Sequence, residues 1–441
     1  MRLKNFYRGL ILYLLITQTS AAHDQIPAAP QKNPVALVGG TIHTVNGPVI
    51  EMGTILFDKG KIVDVGTDIK IPSDALTVDI TGKHVYPGLI ALDSQLGLVE
   101  INSVRATVDY LETGTINPNV RAERAINPDS ERIPITRANG IALAGSLPTG
   151  GLISGMAAVI MLDGWTWEEM TLKAPVGMVV NWPNMEVTSA LGMQKSRDEQ
   201  RKRIKDTLES LEITFRAARA YKTARESAGE KGVPFHKTDI RWEAMLPILR
   251  RELPVWVRAN SIQEIESAVE WADREQVKMV LLGGGDAPLA ADLLKRKNIP
   301  VIVTPILQLP SRRYSGYDEP YTVPARLYEA GVSFCIAGDS GSGNERNLPY
   351  HAAMASAYGL PIEVALKSVT LYAAEIAGIA DRVGSLEKGK DATLIVTDGD
   401  PLEITTNVEK LYLMGRDVDL NTKQKILYRK YQQKYSQNRG N

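Results

Sequence analysis

Residues 81–93, Thr-Gly-Lys-His-Val-Tyr-Pro-Gly-Leu-Ile-Ala-Leu-Asp, lie where two textures of sequence meet. Upstream, residues 35–85 alternate short β-branched runs with glycine turns, as in VALVGGTIHTV (35–45), GTILFDKGKIVDVG (53–66) and LTVDITGKHV (76–85). Period-2 apolar patterning bounded by Gly, Asp and Asn predicts hairpin strands. Downstream, continuous apolar runs alternate with helical segments. Strands are predicted at 85–93, 140–145, 157–163, 176–182, 255–260, 277–283, 299–305 and 332–339. Runs that are apolar on both faces and separated by helices fit a covered parallel sheet. The expected fold is therefore α/β, a (β/α)8 TIM-like barrel rather than an antiparallel sandwich.

The hairpin texture returns at DATLIVTDGDP (391–401) and VEKLYLMGRDV (408–418). Strand groups at opposite ends of the chain make one small β-sandwich only if the termini meet. The expected organisation is a composite sandwich from 35–85 plus 386–418, a barrel over 86–385 and a basic C-terminal tail over 419–441. Amphipathic stripes mark two outer helices, one through Ile204, Leu208, Leu211 and Phe215, the other from Ile262 to Glu275 with Ile265, Val269 and Ala272. Between residues 196 and 250 no strand is evident, which leaves the fourth barrel strand, and any carboxylated lysine on it, unplaced. The tail from Asn421 carries six basic residues and no acid, with Tyr428, Tyr431 and Tyr435 at helical spacing. It is expected to pack on the body as a peripheral helix, the alternative being a basic interaction arm.

With 441 residues, 44% hydrophobic, the chain has enough apolar material for one large core plus an appendage. Residues 1–22 combine Arg2, Lys4 and Arg8, an apolar run from Gly9 to Ile16 and the small residues Ser20-Ala21-Ala22. They read as a signal peptide, which implies a periplasmic or secreted protein. A spanning helix needs about 20 apolar residues, and this run breaks at Thr17, so no transmembrane anchor is expected in the mature chain. The mature chain would hold 48 basic against 51 acidic residues, which argues against nucleic acid as a partner. Its expected partner is a small-molecule ligand or substrate, with homo-oligomerisation left open. The only cysteine, Cys335, lies in an apolar run and reads as a buried hydrophobe.

Three stretches together resemble the amidohydrolase superfamily, particularly its exported imidazolonepropionase-related members: residues 81–93, CIAGDSG (335–341) with the helical segment 347–379, and DRVGSLEKGKDATLIVTDGDPLE (381–403). The resemblance implies a composite sandwich beside a barrel and hydrolysis of carbon–nitrogen bonds. It also implies a divalent metal held by histidines, and here the sequence departs. The two strand-one histidine positions hold Asp93 and Gln95, the strand-five position Arg258 and the strand-six position Gly283; the strand-eight aspartate is kept as Asp339. A hydrolytic metal needs about three or four N, O or S ligands to acidify water, so no metal or other cofactor is expected.

The candidate catalytic residues are Asp339 as general base and Asp93 as a second acid or ligand. Gln95, Arg258, Asn260, Arg312 and Arg346 are candidate substrate contacts, the arginines forming a cationic pocket unless Asp318, Glu319 and Glu345 neutralise them. The competing assignment is a catalytically inactive relative that binds a small anionic ligand or a partner at the barrel mouth. Three weaker motifs stay open. Ser340 with His351 would be a local nucleophile pair. Gly283-Gly284-Gly285-Asp286 is either an anion cradle or a tight turn. Trp165, Trp167 and Trp182 form a pocket wall or core packing. His23, His43, His84 and His236 read as ordinary surface or supporting histidines.

Overall fold

At Pro87 and Gly88 the chain passes from one sheet into the other. Gly88 N–H donates to the Thr393 carbonyl of the first sheet unit, and Leu89 N–H donates to the Gly140 carbonyl of the second. The crossing is too tight for a side chain, since a Cβ on Gly88 would lie 2.3 Å from the Ala142 Cβ. This computed structural model describes residues 26–188, 196–227, 237–339, 341 and 343–438. The expected signal segment, with His23, His236 and Ser340, lies outside them.

The first sheet contains β1 (Val35–His43), β2 (Val49–Asp58), β3 (Lys61–Gly66), β4 (Leu76–Asp79), β5 (His84–Pro87), β14 (Leu394–Thr397), β15 (Val408–Leu413) and β16 (Arg416–Val418). Its order is β16-β15-β14-β5-β1-β2-β3, with β4 also beside β1. The two ends of the chain meet at the antiparallel β5–β14 pair, in register from His84 with Thr397 to Pro87 with Leu394. Register shifts in β1 and between β2 and β3 bend the sheet around its own core of Leu37, Ile55, Phe57, Val85, Leu394 and Tyr412, which gives the β-sandwich unit.

The second sheet is a nearly closed barrel in the order β13-β12-β11-β10-β9-β8-β7-β6. Its strands are β6 (Leu89–Ser94), β7 (Ile141–Ser146), β8 (Ile153–Met161), β9 (Thr171–Asn181), β10 (Val255–Ala259), β11 (Met279–Gly283), β12 (Val301–Val303) and β13 (Phe334–Ile336). All eight expected runs are strands, but one direction differs from the expectation: β8 is antiparallel to both β7 and β9. Only a four-residue helix, Trp167–Met170, lies between β8 and β9, and a parallel crossover needs a dozen or more residues. The fourth strand is β9. Its mouth end holds Asn181, whereas Lys173 lies near its other end with Nζ on the Gly378 carbonyl.

The helix Arg197–Glu226 starts from a Ser196/Glu199 capping box and buries Leu211, Phe215 and Ala218. The helix Ile262–Arg274 is capped in the same way by Ser261 and Glu264, and buries Ile265, Val269 and Ala272. Cys335 is buried within β13. At the base of the barrel Arg137 pairs with buried Asp163 at 2.8 Å, and the second oxygen of Asp163 accepts from Ala28 N–H.

The tail corrects its expectation. It forms the helix Lys423–Asn438, but its side chains are exposed along its described length instead of packing on the body. An apolar stripe of one leucine and three tyrosines is too weak to hold a lysine-rich helix down. No helix among the described residues is long and apolar enough to cross a membrane.

Gly88→Ala is expected to destabilise the protein by about 1–3 kcal/mol through overpacking against Ala142. Urea denaturation of the variant against wild type measures this, and an unchanged midpoint would contradict the tight crossing.

Candidate functional site

The mouth of the barrel lies at the carboxyl ends of its parallel strands. Asp93, near the end of β6, is buried, and both its oxygens are taken by one guanidinium: Arg258 Nη1 donates to Oδ2 at 2.9 Å and Nη2 to Oδ1 at 2.8 Å. Arg258 points in from β10, so the bridge joins the first and fifth strands across the mouth. A planar fork on a carboxylate is the strongest pairing available to either group.

Asp339 follows β13 and is half-buried. Asn344 Nδ2 donates to its Oδ2 at 3.2 Å, and the Gly341 N–H lies 3.5 Å from Oδ1. Beside these two aspartates sits a third carboxyl group, Glu345, which is completely buried. Neither of its oxygens has a hydrogen-bond partner of normal geometry among the described residues. Gly338 makes room for it, since a Cβ there would lie 3.0 Å from Glu345 Oε2. Burial, and then the charges of Asp93 and Asp339, hold the Glu345 carboxyl well above the usual carboxylate range; the Ser94 hydroxyl works against the shift. Burial thus favours the protonated form of Glu345, which lies between the ends of β6 and β13, the two strands between which the barrel fails to close.

His351 is buried on the helix Leu348–Ala357, and its Nδ1 lies 3.3 Å from the Ile306 N–H and 3.4 Å from the Leu307 N–H. Burial pushes its pKa down to about 4, against the pull of Asp339, so the ring is neutral and carries its proton on Nε2. Its proposed pairing with Ser340 falls outside the described residues.

The expected substrate contacts separate into distinct environments. Gln95 is half-buried one residue beyond β6. Asn260 is exposed beyond β10, and its Oδ1 would meet a Cβ on Gly283 at 2.5 Å, so glycine is needed there, where φ is +105°. The Gly283–Asp286 segment is the tight turn and not the cradle: Gly284 N–H goes to the Ala259 carbonyl and Asp286 N–H to the Asn260 carbonyl. Arg312 is paired, but with none of the expected acids. Its guanidinium makes a two-pronged contact with Asp286, and Asp286 Oδ2 also accepts from Ile262 N–H. Arg346 is exposed, donates to the Gly343 carbonyl at 2.9 Å, and offers its own carbonyl to Asn139, in the turn before β7. The three arginines thus do not converge into one cationic pocket. Trp182 packs on Trp271 in the core, Trp165 is exposed, and Trp167 lies under Arg124.

Comparison with known proteins agrees with this architecture. Residues 313–421 match the amidohydrolase family. The chain is 25% identical over 387 residues to an imidazolonepropionase of Mesorhizobium japonicum, covering 83% of this chain and 90% of that one. It is 23% identical over 399 residues to amidohydrolase tasK of Hapsidospora irregularis, of which it spans 39% against 82% of its own length. An amidohydrolase from Thermotoga maritima superposes with a TM-score of 0.77 at 27% identity, over 87% of this chain and 99% of that one. A Xaa-Pro dipeptidase with bound methionine shares the fold at a TM-score of 0.54 and 15% identity, over 88% and 100% of the two chains. Together these matches support the amidohydrolase superfamily as the family of this chain.

Two measurements probe the site. Arg258→Met leaves Asp93 buried and unpaired and is expected to cost about 3–5 kcal/mol in urea denaturation at pH 7, with much of that recovered when Asp93→Asn is added. Glu345 should also leave a signature in the pH dependence of stability. Its folded pKa is raised, so the folded state binds the extra proton, and stability falls as pH rises above about 4.3, where the unfolded carboxyl ionises. His351, with its lowered pKa, opposes this slope between about 4 and 6.5. The difference between wild type and Glu345→Gln isolates the carboxyl: the variant is expected to lose the decline, and parallel curves would show that Glu345 is ionised in the fold.

Proposed function

We propose that the protein hydrolyses a carbon–nitrogen bond of a small cyclic amide or peptide-like substrate at the barrel mouth, with Asp339 as general base. The observation that carries this reading is the pairing of a partly exposed aspartate with a buried carboxyl whose protonated form is favoured, at one opening, because carboxyl groups in unlike environments divide into base and acid. Asp339 would take a proton from water as its oxygen adds to the carbonyl carbon, and the C–N bond would break with that proton passing from Asp339 to nitrogen. The names of the imidazolonepropionase and of the Thermotoga maritima amidohydrolase support this bond class. Gln95 and Asn260 are the proposed polar contacts. Arg258 and Arg312 are already matched to carboxylates and would shape the opening more than bind charge, while Arg346 would act only on a substrate long enough to reach the Asn139 turn. Asp93 serves as the counter-ion of Arg258 and not as a second acid.

The family's divalent metal does not fit these residues. Both Asp93 oxygens are engaged by a guanidinium, and a cation there would face the fixed positive charge of Arg258. The proposed reaction is routed through no metal. The same bridge favours a second reading, in which the mouth binds a ligand without turning it over. The basic, apolar and small-residue order of residues 1–22 supports a site of action outside the cytoplasm.

Assay of the purified protein against lactams, hydantoins and dipeptides tests the proposal. Hydrolysis is expected with at least one class, and Asp339→Asn should lower it by 100-fold or more, the range for loss of a general base. Turnover that survives this change removes Asp339 from the mechanism. Ligand-induced stabilisation without turnover in any class supports the second reading.

A further inference from the structure

The C-terminal helix Lys423–Asn438 leaves the body at buried Thr422, whose carbonyl accepts the Ile426 N–H in the helix's first turn. Lys425 and Arg429 line a groove with Asp417 and Asp419; partial burial, and then the charge of Arg429, lower the Lys425 pKa against the pull of Asp419. At about 100° per residue, Leu427, Tyr428, Tyr431 and Tyr435 fall within one arc of about 100° on a face turned away from that groove. All four are exposed, by 42%, 64%, 48% and 62%. Lys423, Lys430 and Lys434 run along one edge of the same stripe, and Lys434 Nζ lies 5.9 Å from the Tyr431 ring. The helix contains no acidic residue.

We propose that this face is a docking arm for an anionic lipid surface. Tyrosine rings settle at the headgroup level, where one end of the ring meets acyl chains and the hydroxyl meets water. Lysines flanking such a stripe meet lipid phosphates, as in helices that lie in the membrane plane. Charge argues against a second copy of this chain, because pairing two stripes edge to edge would bring lysine against lysine with no carboxylate between them. Lys425 and Arg429 face the groove that Asp417 and Asp419 also line, whereas the three edge lysines border the exposed tyrosine stripe, where an external anion can reach them.

Co-sedimentation of the full chain with vesicles of phosphatidylglycerol and phosphatidylcholine, against phosphatidylcholine alone, tests the proposal. Comparing variants within the same chain makes any contribution of the N-terminal apolar run common to all. Binding to the anionic vesicles is expected, with at least a tenfold loss in the triple variant Lys423→Glu, Lys430→Glu, Lys434→Glu, and a further dependence on the rings read from Tyr428→Ser, Tyr431→Ser, Tyr435→Ser. Circular dichroism and the thermal midpoint should be unchanged, since none of these residues is buried. Equal binding by wild type and both variants overturns the proposal. So does a concentration-dependent dimer that the tyrosine variant abolishes without any vesicle binding, which would assign the stripe to a second copy of the chain.

Discussion

A carboxylate buried at the end of a barrel strand must have a cation, and in this protein the cation is covalently part of the chain. The Asp93–Arg258 bridge satisfies two charges that would each be costly alone, and it does so across the mouth, tying the first strand to the fifth. Other features of the mouth follow from it. Asp93 is removed from proton transfer because its lone pairs are committed. Arg258 is removed from anion binding for the same reason. In the proposed reaction the chemistry falls to the eighth strand, where Asp339 is held by Asn344 and burial favours the protonated form of the neighbouring Glu345.

Glu345 shows how an incomplete barrel can be used. The sheet does not close between β6 and β13, and a fully paired seam would leave no space there. The gap admits a side chain from the segment after β13, and the glycine at 338 keeps it wide enough. The cost of burying a carboxyl in this place is limited by leaving the proton on. A site with one such group responds to pH through the fold as well as through the chemistry.

Much of the architecture was legible in the residues. Continuous apolar runs marked all eight barrel strands, and the repeated hairpin texture at both ends marked a shared sheet, because burial on both faces and period-2 alternation are written directly into composition. Direction was not legible: β8 reads the same either way, and only the short link to β9 reveals the reversal. The aspartates and Arg258 stood at strand ends and could be located by spacing. For Arg312 the sequence offers a substrate contact or pairing with nearby acids, whereas its partner Asp286 is 26 residues away and adjacent only through β11 and β12. Glu345 carried no signal of its own, since an acid in a polar stretch looks like a surface residue until closure of the fold buries it. The tail's helical period was visible, but whether a helix packs depends on a complementary surface that the segment itself does not encode.

The meeting of β5 with β14 also governs the order of assembly. The strands β1–β5 are complete when fewer than ninety residues have been made, yet β5 keeps one edge bare until residues 394–397 exist to cover it. Three hundred residues of barrel must be synthesised in the interval. A β5 edge that is open for that long is a template for wrong partners, and the contact that ends the exposure is among the most distant in the chain. Completion of the sandwich therefore acts as a late checkpoint: the first strands to be made are sealed only after the barrel between them has its full length.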